Sequence, residues 1–117
     1  MKILFVCTGN LCRSPFAEAL FNLEAARAGL DARASSAGTM AMAGQKVPDV
    51  GIVVAREFGL DLSGYRSRPL DAAVVREAEL LVGMGKRHLE ELKRFRDETG
   101  ALGKVALLGT FDGTAED

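Results

Sequence analysis

Cysteine is scarce in this chain of 117 residues: only Cys7 and Cys12 occur, both in one short stretch. They stand too close to staple a fold as a framework disulfide, and they lack partners for a zinc site. A reducing cytoplasm is the expected setting, with no metal. Charge of one sign is lacking too. The net charge of −1 gives no electrostatic case for nucleic acid or an anionic membrane as partner. No apolar run approaches a membrane span. The apolar start, residues 2–6, turns at once into Thr8-Gly9-Asn10 and is no secretory segment. Repeats, low-complexity tracts and linkers are absent. What remains is one domain over residues 1–117, with an ordinary globular composition of 48% hydrophobic and 26% charged residues.

The pattern along the chain alternates strands with helices. Residues 2–6 read as a buried strand, and a helix follows over 15–28, started by Pro15 and stopped by Gly29. Phe16, Leu20 and Leu23 recur at helical spacing and are expected in the core, with Glu18, Glu24 and Arg27 toward water. A weak strand over 32–36, a loop over 39–47 and helices over 48–58 and 71–78 come next. A strong strand over 80–84, an amphipathic helix over 86–97 and a short strand over 105–108 complete the pattern. The only histidine, His88, falls on that charged helix and reads as a surface residue. This alternation predicts an α/β fold with a parallel sheet wound on both faces. Ligands of such sheets bind beyond the carboxyl ends of the strands.

That is where Cys7-Thr8-Gly9-Asn10-Leu11-Cys12-Arg13-Ser14-Pro15 lies. Cys7 and Arg13 bracket five residues, the loop length of enzymes that attack a phosphate ester with a thiolate. Backbone N–H groups of Thr8 to Arg13 can face one oxyanion. Those donors, the positive end of the following helix and Arg13 all favour an anionic sulfur. The planar fork of Arg13 suits a phosphoryl group better than a lysine does. Gly9 and Asn10 permit the tight curl, and Ser14 is placed to donate its hydroxyl to the Cys7 sulfur. A bare Cys-x5-Arg is a weak signal. The strand before, Gly-Asn within, Ser-Pro after and the helix behind make the combination specific, and a merely structural cysteine at a strand end leaves it unexplained. Cys12 has two readings: a small loop filler, or a redox partner that traps oxidised Cys7 as a disulfide.

The run from Val6 through Cys7, Arg13, Ser14 and Pro15 to Glu18 resembles the low-molecular-weight protein tyrosine phosphatases, more closely the bacterial members. The likeness continues through Ser36-Ala37-Gly38, Pro48, Ser67-Arg68-Pro69-Leu70 and residues 80–92. The resemblance implies a three-layer domain with a four-stranded parallel sheet in order 2-1-3-4, no cofactor and a cysteinyl-phosphate intermediate. It implies that Cys7 is the nucleophile, that Arg13 binds the phosphoryl group, and that Thr8, Gly9, Asn10, Leu11, Cys12 and Arg13 form the phosphate cradle. The implied partners are a phosphorylated protein or small aryl phosphate, with phosphate, sulfate or a similar oxyanion in the loop.

Three departures stand out. The family's general acid lies in an Asp-Pro-aromatic motif, and this sequence has no Asp-Pro pair. The sequence is expected to be a truncated product, the alternative being a naturally short protein that does without that acid; the family's C-terminal helix is missing and one sheet face is expected to be less covered. Asp112, Glu116 and Asp117 are the acids that position offers as substitutes. Tyr65 stands where relatives often place a histidine that braces the loop asparagine. A third concerns the substrate: in protein arginine phosphatases the position after the asparagine tends to be threonine, whereas Leu11 favours an aromatic phosphate. The alternatives to tyrosine dephosphorylation are therefore arginine dephosphorylation and an acid-deficient oxyanion-binding module. Arsenate reduction needs two further cysteines in the later half, and none follows Cys12.

Overall fold

A computed structural model describes residues 1–108. Eight elements follow in chain order: β1 (Lys2–Cys7), α1 (Arg13–Ala28), β2 (Arg33–Gly38), α2 (Asp49–Glu57), α3 (Ala72–Glu77), β3 (Leu80–Gly83), α4 (Lys86–Thr99) and β4 (Lys104–Leu107). All strands run parallel in the order β2-β1-β3-β4, as expected. Each crossover therefore carries a helix, because parallel neighbours cannot be joined by a tight turn. The sequence boundaries hold to within about two residues. The largest differences serve the site. The first helix starts at Arg13 instead of Pro15, and β2 runs on to Gly38, which pairs with Cys7.

Alternation along β1 sends its side chains to two separate apolar layers. Leu4 and Val6 join Ala37 and Leu81 beneath Val75 of α3 and Leu92 of α4. Ile3 and Phe5 join Ala34 and Val82 on the other face, against Ala17 and Phe21 of α1. A third cluster, Val47, Ala55, Leu60 and Leu62, packs α2 and its flanking loops onto Phe16, Leu20 and Leu23 of α1. α1 is thus held on both sides, by the sheet and by α2. Asn22 ties it further: its amide donates to the Ala34 carbonyl at 3.0 Å and accepts the Ala34 N–H at 2.8 Å. The positive φ expected of a helix-stopping glycine is seen at Gly29, 69°.

Two expectations fail here. Glu18 does not point to water; it is half-buried and hydrogen-bonds Ser36 across the α1–β2 contact. His88 is fully buried, at 0% exposure. The reason is the close seating of α4 on the sheet. At Gly83, a Cβ would stand 2.9 Å from the Leu89 nitrogen and 3.2 Å from the His88 Cβ. The missing side chain lets the first turn of α4 press against the end of β3, which turns His88 inward. The expected substitutes Asp112, Glu116 and Asp117, and any helix after β4, lie outside the described residues. Among the described residues no helix is long and apolar enough to cross a membrane.

Candidate active site

Sheet geometry brings Cys7 to the carboxyl end of a central strand, with Gly38 of β2 directly beside it. The residues after Cys7 form a loop that ends in the first turn of α1. Thr39 N–H donates to the Cys7 carbonyl and Met40 N–H to the Thr8 carbonyl, each at 2.9 Å. No described peptide bond is cis, and in a planar trans peptide the N–H points opposite to the C=O. Tying those two carbonyls outward therefore turns the Thr8 and Gly9 N–H groups to the inner side of the loop. Asn10 takes φ of 56°, the only positive value among described non-glycine residues, and its N–H reaches the Cys7 sulfur at 3.2 Å. The curl read from Gly9-Asn10 is carried by the asparagine.

Cys7, Asn10 and Ser14 are buried; Thr8, Gly9 and Leu11 are half-buried; Cys12 and Arg13 are exposed at the start of α1. Ser14 Oγ lies 2.9 Å from Cys7 Sγ, as expected. The Asn10 side chain holds the serine that makes that contact. The Arg68 backbone N–H, which can only donate, reaches Asn10 Oδ1 at 2.8 Å. The amide nitrogen then faces Ser14 Oγ at 2.8 Å and Ser36 Oγ at 3.1 Å, and donates to both. Ser14 accepts from Asn10 and keeps its own proton, which can be directed at Cys7.

Two braces were not foreseen in full. Tyr65 OH donates to Asn10 Oδ1 at 2.9 Å, so the tyrosine holds the asparagine where relatives were expected to use histidine. Tyr65 also hydrogen-bonds Ser36, which contacts Glu18 Oε1 at 2.8 Å. Burial is the main cause that pushes the Glu18 carboxyl above its ordinary 4.5, against the Ser36 hydrogen bond and the charges of Arg68 and Arg33. Burial likewise raises the Tyr65 phenol above 10.0, so it stays a neutral donor. The second brace is His88, whose Nε2 hydrogen-bonds Thr8 Oγ1 at 2.8 Å. Helical spacing held the clue to it: His88 precedes the buried Leu92 by four residues, on the same face of the helix.

An apolar cleft of about 580 Å³ opens beside Cys12 and Arg13, walled by Phe16 and Leu20 of α1 and Val50 and Val54 of α2. Chemically, the assembly is a sulfur at the focus of an N–H and an O–H donor, in a loop able to hold an anion there.

The sequence from residue 2 to residue 117 matches the family described as low molecular weight phosphotyrosine protein phosphatase. The chain belongs to this family. The phosphatase is 38% identical over 115 residues to the low molecular weight protein-tyrosine-phosphatase Wzb of Escherichia coli K12, covering 98% of this chain and 74% of that protein. It is 37% identical over 106 residues to a protein-arginine-phosphatase of Bacillus subtilis strain 168, covering 87% and 70%. Among solved structures it is similar to a YwlE arginine phosphatase mutant with a phosphorylated active-site serine. That match has a TM-score of 0.83 and 33% identity, over 100% of this chain and 75% of the other. Vibrio vulnificus Wzb in complex with benzylphosphonate matches with a TM-score of 0.83 and 29% identity, over 98% and 77%. The phosphatase thus has the fold of hydrolases that act on phosphorylated proteins.

Proposed function

We propose that the phosphatase hydrolyses phosphotyrosine-type monoesters, with Cys7 as nucleophile, Arg13 gripping the phosphoryl oxygens and Ser14 donating to the sulfur. The observation that carries this is the convergence on the Cys7 sulfur of the Asn10 N–H and of Ser14 Oγ, which Asn10 in turn holds by donating to it. In the first step the sulfur attacks phosphorus, the P–O ester bond breaks, and the aryl oxygen leaves as a phenolate that takes its proton from solvent. Inward N–H groups from Thr8 to Arg13, with the Arg13 guanidinium, hold the equatorial oxygens as charge spreads over them. Water then cleaves the cysteinyl-phosphate, and Ser14 stabilises the departing thiolate. Free thiols at Cys7 and Cys12 suit a reducing compartment such as the cytoplasm.

Tyrosine preference rests on Leu11, which is half-buried and lies over Gly9: a Cβ there would sit 3.9 Å from Leu11 Cδ1. Its apolar side chain favours an aromatic phosphate over what a threonine would accept. Likeness to arginine phosphatases supports the second reading. Measured kcat/KM should be higher on a phosphotyrosyl than on a phosphoarginyl peptide. Leu11→Thr should narrow that ratio about tenfold, the scale of a pocket contact of this size. A parent enzyme that prefers phosphoarginine overturns the tyrosine assignment.

Cys12 is proposed as the partner of oxidised Cys7. Peroxide converts the Cys7 thiolate to a sulfenic acid, and the Cys12 thiol condenses with it, releasing water and closing a disulfide. After peroxide, dithiothreitol should restore the parent but not Cys12→Ser. Full recovery of that variant removes Cys12 from the role and leaves it as a loop filler.

A further inference from the structure

Behind the loop, side chains from four segments form a line of three oxygen–oxygen contacts. Glu18 Oε1 meets Ser36 Oγ at 2.8 Å, Ser36 Oγ meets Tyr65 OH, and Tyr65 OH meets Asn10 Oδ1 at 2.9 Å. Each contact needs one proton between its oxygens. Asn10 supplies none of them, because Oδ1 only accepts and its two amide protons go to Ser14 and Ser36. The hydroxyls of Ser36 and Tyr65 supply one each. The remaining titratable member of the line is Glu18.

We propose that Glu18 is a positioning residue that carries a proton in the active phosphatase, so that Glu18 donates to Ser36, Ser36 to Tyr65 and Tyr65 to Asn10. Every oxygen in the line then has a proton to give or receive, and the Asn10 amide is held to pass its own protons to Ser14 and Ser36. With Glu18 ionised, Ser36 must turn its proton to the carboxylate. Tyr65 then has one proton for two acceptors, and one pair of oxygens meets lone pair to lone pair. Either Tyr65 leaves Asn10, or the Ser36–Tyr65 contact opens. In both cases the order of donation that ends on Cys7 loosens at its far end.

The surroundings fit a protonated acid. Burial raises the Glu18 carboxyl above 4.5, while a hydrogen bond donated by Ser36, Arg68 from the segment before α3 and Arg33 of β2 favour its charge. Tyr65, facing it from the loop after α2, is held neutral. Because the folded protein binds this proton more tightly than the unfolded chain, its contribution to stability is full below 4.5 and is lost as pH rises through the raised value.

The inference deepens the proposed reaction and rests on Cys7 as nucleophile, so the experiment reads Glu18 separately. In the full chain labelled with carbon-13 at glutamate carboxyls, the Glu18 signal, assigned with Glu18→Gln, should titrate above the ordinary carboxyl range. The alkaline fall in kcat should share its midpoint. Glu18→Ala should lower kcat about tenfold with little change in KM, the scale of a lost hydrogen bond. Glu18→Gln, whose amide offers Ser36 an N–H at every pH, should recover that loss and lack the shared fall. A Glu18 carboxyl that titrates at or below 4.5 overturns the proposal. So does a Glu18→Gln enzyme as slow as Glu18→Ala, for then the charge and not the proton is needed. If Glu18→Ala does not fold, the carboxyl titration of the parent decides alone. Its outcome is the same whichever side chain attacks phosphorus.

Discussion

Cys7→Ser should lower turnover of an aryl phosphate by about 10⁴-fold or more, the scale of removing a catalytic nucleophile, while inorganic phosphate still binds. Serine places a hydroxyl close to where the sulfur stood, but a hydroxyl is a weaker nucleophile than a thiol. Ser14 Oγ and the Asn10 N–H stand against that position and keep a serine there in the same place. The cradle itself is built from backbone N–H groups and Arg13, none of which the substitution removes. Steady-state assays with an aryl phosphate, paired with calorimetric titration of phosphate, separate the two effects. Hydrolysis within about tenfold of the parent would remove Cys7 from the mechanism.

Gly38→Ala should damage stability and turnover together. A Cβ at residue 38 would stand 2.5 Å from the Thr8 carbonyl oxygen, 2.8 Å from the Ala41 Cβ and 2.9 Å from the Asn10 nitrogen. Two of those atoms are loop backbone, which cannot swing aside as a long side chain can. Residue 38 cannot retreat either. Its N–H donates to the Arg68 carbonyl at 3.0 Å and its carbonyl accepts from Leu70 N–H at 2.9 Å. Overpacking of this kind costs about 1–3 kcal/mol, and a loop displaced by a few tenths of an ångström should lose about 10²-fold in kcat. Gly64→Ala is the control, since nothing lies within 4 Å of a Cβ there. Denaturant midpoints and kcat of the two variants give the comparison. A Gly38→Ala enzyme with parental stability and rate would show that β2 does not shape the loop.

The loop was legible in the sequence because its chemistry is local. Cys7, Asn10, Arg13 and Ser14 lie within one strand–loop–helix turn, where spacing and position decide what each residue can reach. The sheet order was legible for a related reason: alternating strands and helices, together with the family resemblance, leave few topologies. Glu18 was misread because helical periodicity marked the face of Phe16, Leu20 and Leu23 as the buried one, and a carboxylate off that face looks like surface. Only the arrival of Ser36 and Tyr65 from distant segments gives it a partner. His88 was misread by the same habit, although its spacing from Leu92 argued otherwise. The seating of α4 that buries it depends on the absent side chain of Gly83, a contact that neighbouring residues do not announce.

The braces of the loop carry a consequence for the order in which this chain folds. Elements β1, α1 and β2 are consecutive and can assemble as one early unit. The contacts that hold the loop come from much farther along the chain: Tyr65 is 55 residues from Asn10, Arg68 is 58, and His88 is 80 from Thr8. Closing such long segments costs entropy before any contact repays it. On refolding, the unit of β1, α1 and β2 should therefore appear before the anion site does, and recovery of phosphate binding should lag the first recovery of helix and strand. For this protein, competence is the last thing the chain acquires.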